Sequence, residues 1–330
     1  MVRSINNVFG ELTAAANLGA AWETFCRGKR ARPTVAAFAR EAPQELQRLR
    51  RELIEGRYRP GPYRVLFLHE PKRRLIAAAD VRDRVVHHAI HRVLAPRLDR
   101  SLVDQTYACL EGRGTHRAVL AFQRALRRHA FVLLLDIRHY FLSIDPSVLE
   151  ALLRRRIKDE PTMALLTRII EGGRGLYDPP EVRSWLGLDE GRALGRGLPI
   201  GNLTSQWWGN HYLSGLDHFF RRNLGVEALR YMDDIAIFGD QAGALVNARD
   251  AAARWLAEER HLNFKHPRAP ARSTRGVFGY LGCRVSRDRV TSSRRALTRF
   301  RQRLGALMIE GETEQIERSI ASYAGLLRCR

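Results

Sequence analysis

The sequence predicts an α+β fold, an antiparallel sheet with helices on one face. Three observations predict it. Strand-like and helix-like segments mix without the regular βαβ alternation of a parallel sheet. "FVLLLDI" (131–137) is an apolar run closed by an acid, as expected of a buried central strand whose end reaches a cleft. "VEALRYM" and "DIAIFGD" flank Asp233–Asp234 as the two arms of a hairpin.

The elements follow in order. Residues 12–55 read as two helices; "TVAAFAREAPQELQRLRRELIEG" starts after Pro33, carries an apolar face at helical spacing and stops at Gly56. Residues 59–80 read as a β-hairpin, "YRVLFLHE" and "RRLIAAA" joined by the basic turn Pro71–Lys72–Arg73. A helix over 81–98 breaks near Pro96, and "GTHRAVLAFQRALRRH" (114–129) is a second, amphipathic one. "DPSVLEALLRRRIKD" begins a helix with Asp145 as N-cap and Pro146 at the first position. Residues 171–197 are rich in Gly, Pro and charge and read as a loop or small excursion. Residues 197–220 read as a turn running into an apolar helix, capped by Asn202 or Thr204. "LVNARDAAARWLAEERHL" is another helix, "GVFGYLGCRV" another strand segment, and from about 291 the chain is helical and basic.

A chain of 330 residues allows two or three domains, or one with appended parts. The 56 Lys+Arg against 35 Asp+Glu give a net charge of +21, most of it from Arg. Such a surplus points to nucleic acid or another polyanion, or to an Arg-rich proteome. Cys26, Cys109, Cys283 and Cys329 are far apart and read as reduced thiols, neither a disulfide framework nor a zinc site. The N-terminus lacks the apolar core of a signal peptide, and no run is apolar enough to span a bilayer. The expectation is a cytoplasmic protein with no membrane attachment.

The chemistry centres on aspartates. If the strand ending in Asp136 lies beside the hairpin of Asp233–Asp234, three carboxylates converge at one sheet edge. Clustered like charges are costly unless they neutralise cations, and oxygen ligands without His or Cys favour Mg²⁺ or Mn²⁺. Two such ions would serve phosphoryl transfer. An Asp-Asp pair is also ordinary turn chemistry, and Asp at a strand end is often a helix cap. Asp145 reads as a cap, not a ligand. At least one of Trp207 and Trp208 reads as core, and His87, His88 and His91 read as polar faces of a helix.

"YMDD" in a strand–turn–strand, together with "LLLDIRHYFLSID", resembles the palm of a reverse transcriptase. "EPKRRLIAAADVRDRVVHHAIHRVLAPRLD" and "QTYACLEGRGTHRAV" resemble the fingers motifs of bacterial retroelement and group II intron enzymes. "GLPIGNLTSQ" resembles the loop-helix that follows, and "GYLG" the primer-gripping segment. The resemblance implies a right-hand polymerase fold: an N-terminal helical extension (1–58), fingers (59–130), palm (131–290, with a fingers-like insertion around 146–200) and a short basic helical thumb (291–330). It implies that Asp136 and Asp233 ligate two Mg²⁺ ions, with Mn²⁺ as a substitute, that Asp234 completes the acidic site, and that the Ile137 carbonyl is an auxiliary ligand. Phe141 falls at the aromatic gate against a ribose 2′-hydroxyl. Lys72 and Arg74 would hold the incoming triphosphate, with Arg73 an equal rival. Gly201 would let backbone approach the nucleotide, and Tyr280, Leu281 and Gly282 would position the primer terminus. Lys265 is a candidate proton donor to pyrophosphate.

The loop-helix departs from most bacterial relatives, which carry Gln-Gly and later Ser-Pro. Here Ile200-Gly201 and Ser205-Gln206 give I-G-x-x-x-S-Q, which is similar to the enzymes of diversity-generating retroelements. Those enzymes copy a template RNA with frequent errors opposite adenine, and a branched aliphatic at Ile200, near the incoming base, removes hydrogen bonds that could fix nucleotide geometry. Ile200 packing a turn is the plainer alternative. The resemblance implies template RNA, a primer or cDNA strand and dNTPs as partners, with a small basic ring-forming accessory protein. A standalone reverse transcriptase of phage defence and a non-catalytic, maturase-like RNA-binding protein are the rivals.

Overall fold

The computed structural model describes residues 4–69, 73–309, 317, 319 and 320. Four N-terminal helices, α1 (Phe9–Thr13), α2 (Ala15–Cys26), α3 (Pro33–Arg40) and α4 (Ala42–Ile54), precede a hairpin of β1 (Arg64–Leu68) and β2 (Arg74–Ala78). Then come α5 (Val81–Leu98), α6 (Thr115–Arg128), β3 (Phe131–Asp136), α7 (Tyr140–Ser143), α8 (Pro146–Arg156), α9 (Glu160–Glu171), α10 (Pro180–Leu186), α11 (Leu203–Tyr212) and α12 (Ser214–Arg222). The chain closes with β4 (Glu227–Tyr231), β5 (Asp234–Gly239), α13 (Ala242–Arg260), β6 (Arg272–Ser273), β7 (Phe278–Tyr280), β8 (Cys283–Val285), β9 (Val290–Ser292) and α14 (Arg294–Ile309).

Two compact units divide these elements, and both are discontinuous in sequence. The first lies within Met1–Leu102, Arg138–Gly215 and Ala257–Leu262; the second within Val103–Ile137, Leu216–Leu256 and Asn263–Arg330.

In the first unit, three helices, α2 to α4, fill the segment where two were expected. Pro43 has no N–H and fits only a helix's first turn, so the chain restarts at Ala42 after an irregular Glu41 (φ −120°, ψ 19°). The expected break at Pro96 does not occur. The proline sits in the last turn of α5, which runs on to Leu98, and Arg97 Nη1 donates to the Val93 carbonyl there. Asp145 caps α8 as expected, accepting from the Ser147 N–H at 2.9 Å. Asn202 stands at the N-cap of α11, yet its side chain makes no capping bond. The segment 171–197 holds the short helix α10. His87 is in the core: it is 1% exposed and neither ring nitrogen has a hydrogen-bond partner. The helix α5 buries Val85, Val86, Ala89, Ile90, Val93 and Leu94 on several sides, so no single apolar face in its periodicity marks His87 as core. Trp207 and Trp208 are both buried, and Trp207 Nε1 donates to Asp99 Oδ1 at 2.9 Å, which leaves neither for base stacking.

The second unit is built on an antiparallel sheet ordered β4-β5-β3-β6, with a separate three-stranded sheet β7-β8-β9. Residues Ala118, Val119, Phe122, Ala125 and Leu126 recur at helical spacing and give α6 one apolar face. That face packs in one cluster with Val132, Leu229, Ala236 and Phe238 of the main sheet and with Phe278 and Tyr280 of the smaller one. The alternate residues Leu133, Leu135, Ile235 and Ile237 are buried as well, so both faces of β3 and β5 are covered. Among the described residues, Cys26 and Cys283 are buried and Cys109 is exposed.

Candidate active site

The second unit brings the aspartates together through strand register. β3 and β5 pair antiparallel with Asp136 opposite Asp234, and β4 pairs with β5 so that Tyr231 is also opposite Asp234. Directly opposed residues share a sheet face with Cβ atoms about 4.5–5.5 Å apart. Alternation puts Asp136 on the face of Val132 and Leu134, beyond the edge of the apolar cluster that α6 covers. Burial deepens along that strand: Val132 is fully buried, whereas Asp136 is half-buried and Asp234 exposed.

Asp233 has a different place. Tyr231 and Asp234 close a two-residue loop whose central residues are Met232 and Asp233. Met232 has φ +58°, a left-handed conformation that a non-glycine residue holds only when its surroundings enforce it. A two-residue hairpin needs positive φ at its first central position, so the strain follows from the tight turn.

Among the described residues, no group of three or more His, Cys, Asp or Glu side chains is arranged to hold a metal ion. The register aligns Asp136 with Asp234, and Asp233, the third expected carboxylate, lies in the turn beside them. The donor set nonetheless suits a hard cation: two carboxylates on one face of adjacent strands repel each other, and all the donors are oxygen. Lys265 supplies a positive charge here, its Nζ 3.4 Å from Asp136 Oδ2. Its backbone is fixed too, the Lys265 N–H donating to the Asp136 carbonyl at 2.8 Å beside an antiparallel bridge between Ile137 and Phe264.

Tyr280 borders the same acidic edge. It is 5% exposed, its ring stacks on Phe122 with centroids 4.3 Å apart, and its hydroxyl has no hydrogen-bond partner. Burial, and next the Asp234 charge, hold the phenol well above its ordinary pKa, so it stays a neutral donor beside the carboxylates. Leu281 (φ +48°) and Gly282 (φ +83°) form the tight turn between β7 and β8, the geometry of a two-residue hairpin loop.

The remaining sequence candidates lie in the first unit. Arg74 opens β2 opposite Leu68 and is exposed; Arg73 Nη1 donates to the Trp185 carbonyl at 3.1 Å. Lys72 lies outside the described residues. The loop before α11 is stitched to β2, the Ala77 N–H donating to the Ile200 carbonyl at 2.8 Å. Tyr177, fully buried, donates its hydroxyl to the Leu198 carbonyl at 3.0 Å and accepts from the Ile200 N–H at 3.1 Å. The Ile200 side chain packs against Leu75, Ala77, Leu142, Tyr177 and Leu188. Gly201 (φ +112°) lies on the other side: a Cβ there would stand 3.0 Å from Ile76 Cγ2. Ile76 and Arg74 alternate with the cluster residues Leu75 and Ala77, so Gly201 meets the β2 face that carries Arg74. Gln206 is exposed on α11, Tyr140 is buried and Phe141 half-buried, which separates the two adjacent aromatics.

Sequence reading missed two features. Asn202, expected only as a helix cap, is 3% exposed and has neither amide atom hydrogen-bonded. Arg230 and Asp217 form a buried ion pair beneath the Met232 turn, which no local pattern announces.

Comparison with known proteins bears on the same residues. The domain described as "Reverse transcriptase (RNA-dependent DNA polymerase)" matches residues 69–283, a span holding β3, the Met232 turn and β7. "Protein YkfC" of Escherichia coli (strain K12) is 28% identical over 185 residues, 53% of this chain. The match spans 45% of that relative's length. Among solved structures, apo telomerase from Candida Tropicalis, truncated from its C-terminal domain, aligns at 10% identity with a TM-score of 0.48, over 70% of this chain and 55% of that one. The fold is of the α+β right-hand polymerase class, and the chain belongs to the reverse transcriptase family.

Proposed function

We propose that this chain is an RNA-directed DNA polymerase, a nucleotidyltransferase that extends a primer 3′ end on a template RNA. The observation that carries the reading is the in-register pairing of Asp136 with Asp234, beside the Asp233 turn, in a chain of this family. The primer 3′-oxygen attacks the dNTP α-phosphorus in line, and the bond to the β-phosphate breaks to release pyrophosphate. Bound Mg²⁺ or Mn²⁺ would lower the pKa of the attacking hydroxyl and stabilise the leaving oxygen. Asp136, Asp233 and the Ile137 carbonyl would hold those cations, and Asp234 would complete the charge. Lys265 donates the proton that the leaving pyrophosphate takes up. Lys72 and Arg74 bind the triphosphate, Gly201 and Gln206 border the nucleotide, and Phe141 excludes a ribose 2′-hydroxyl. Tyr280, Leu281 and Gly282 seat the primer terminus. The fingers (59–130), palm (131–290) and thumb (291–330) limits are part of this proposal. The surplus of Arg binds template–primer phosphates, so affinity falls steeply with salt.

The finer reading is a diversity-generating enzyme, supported by Ile200-Gly201 and Ser205-Gln206, working in the cytoplasm with a basic ring-forming accessory protein. Primer extension on RNA with Mg²⁺, followed by product sequencing, tests both levels. Wild-type protein that incorporates nothing, with or without a partner, overturns the polymerase reading. Accurate copying of template adenines overturns diversification alone. Ile200→Gln is expected to raise adenine fidelity, and an unchanged error rate removes the role given to Ile200. Asp233→Asn separates the RNA-binding rival, in which biological effect survives the substitution.

A further inference from the structure

Beneath the Met232–Asp233 turn lies a charge pair that the reaction itself does not use. Arg230, on β4, is 1% exposed, and Asp217, on α12, is 6% exposed. The guanidinium grips the carboxylate with two parallel bonds, Nε to Oδ1 at 2.7 Å and Nη2 to Oδ2 at 2.6 Å. Its third nitrogen, Nη1, donates to the Met232 carbonyl at 3.1 Å. Thr106 Oγ1 donates to Asp217 Oδ2 at 3.1 Å. The backbone is clamped in parallel: the Arg230 N–H donates to the Gln105 carbonyl, and the Tyr107 N–H to the Arg230 carbonyl, both at 2.9 Å. All these residues belong to the second unit.

A buried ion pair is a poor source of stability, because desolvation offsets most of the attraction. Its presence here calls for another reason, and the third arm supplies one. Met232 sits at φ +58°, which an unbranched non-glycine side chain leaves unless it is held. The planar fork can hold Asp217 and a carbonyl at once, which an ammonium group cannot do with the same geometry. The carbonyl it holds belongs to the residue before Asp233.

We propose that Arg230, fixed by Asp217 and Thr106, is a positioning residue that locks the Met232–Asp233 turn and thereby sets where the Asp233 carboxylate stands. The inference rests on the polymerase reading for its consequence, and the test separates the two. In the full chain, Arg230→Met with Asp217→Leu replaces the pair with apolar groups of similar volume, an exchange that folds tolerate. Template–primer affinity stays at the wild-type level, and the variant still melts cooperatively but below wild type, because the Thr106 hydroxyl and the Met232 carbonyl lose their partners. Hydrogen exchange of the 232–234 amides, read without RNA or nucleotide, rises at least about tenfold. kcat for primer extension falls about 100-fold or more, with KM for dNTP little changed, because misplacement of a reacting group by about 1 Å costs that much. If the double variant does not fold, Arg230→Lys keeps the charge beside Asp217, loses the third arm and gives the same exchange and kcat changes. Unchanged exchange or unchanged kcat in a folded variant overturns the proposal. A wild type inactive in primer extension would remove the polymerase reading and leave the exchange result standing.

Discussion

Removing one oxygen atom from Tyr177 should loosen the loop that carries Ile200 and Gly201. The Tyr177 hydroxyl bridges the Leu198 carbonyl and the Ile200 N–H, at 3.0 and 3.1 Å, inside a cluster where Tyr177 and Leu198 are fully buried. Tyr177→Phe keeps the ring and its packing but strands both backbone groups away from water. Each stranded group costs about 1–3 kcal/mol, so the two together cost about 2–6 kcal/mol. Trp22, Trp185, Trp207 and Trp208 lie in the first unit and only Trp255 in the second, so urea unfolding followed by tryptophan fluorescence reports mainly on the unit concerned. The midpoint should fall with an unchanged slope, as a native-state loss requires. A change below about 0.5 kcal/mol, the range of an ordinary surface substitution, would refute the hydroxyl's bridging role.

Gly201→Ala should destabilise the same unit by about 1–3 kcal/mol, from φ +112° and the 3.0 Å approach to Ile76, whereas Gly19→Ala in α2, with open space around it, should stabilise by about 0.5–1 kcal/mol; paired urea curves decide both. Burial, helped by the charges of His88 and Arg84, lowers the His87 pKa from 6.5 to about 3. The folded state thus refuses a proton that the unfolded chain binds below about pH 6.5, so this stability is present above that pH and lost as pH falls, by about 2 kcal/mol at pH 5. His87→Leu should flatten the acid limb of a stability–pH curve, and an unchanged limb would place the acid sensitivity elsewhere. Asp136→Asn should leave stability unchanged or raised, since it relieves the opposed carboxylate of Asp234, while kcat for primer extension falls about 100-fold or more.

Sequence alone determined what depends on neighbours along the chain. The apolar run of β3, the short arms around Asp233–Asp234, the Asp145–Pro146 helix start and the period of α6 are set by propensity, capping and alternation, which act over a few residues. The motifs were strong enough to name the family before any coordinate was known. Tertiary structure alone decided which carboxylates face each other. Register is fixed by burial of the middle of β3 and β5, and it sets Asp136 opposite Asp234 while leaving Asp233 in the turn. It also decided that His87 lies in the core, that Ile200 packs into the cluster around Tyr177, and that Arg230 reaches both Asp217 and the Met232 carbonyl. Each of those outcomes depends on which distant surfaces exclude water together, and that quantity is a property of the packed chain and not of any stretch of it.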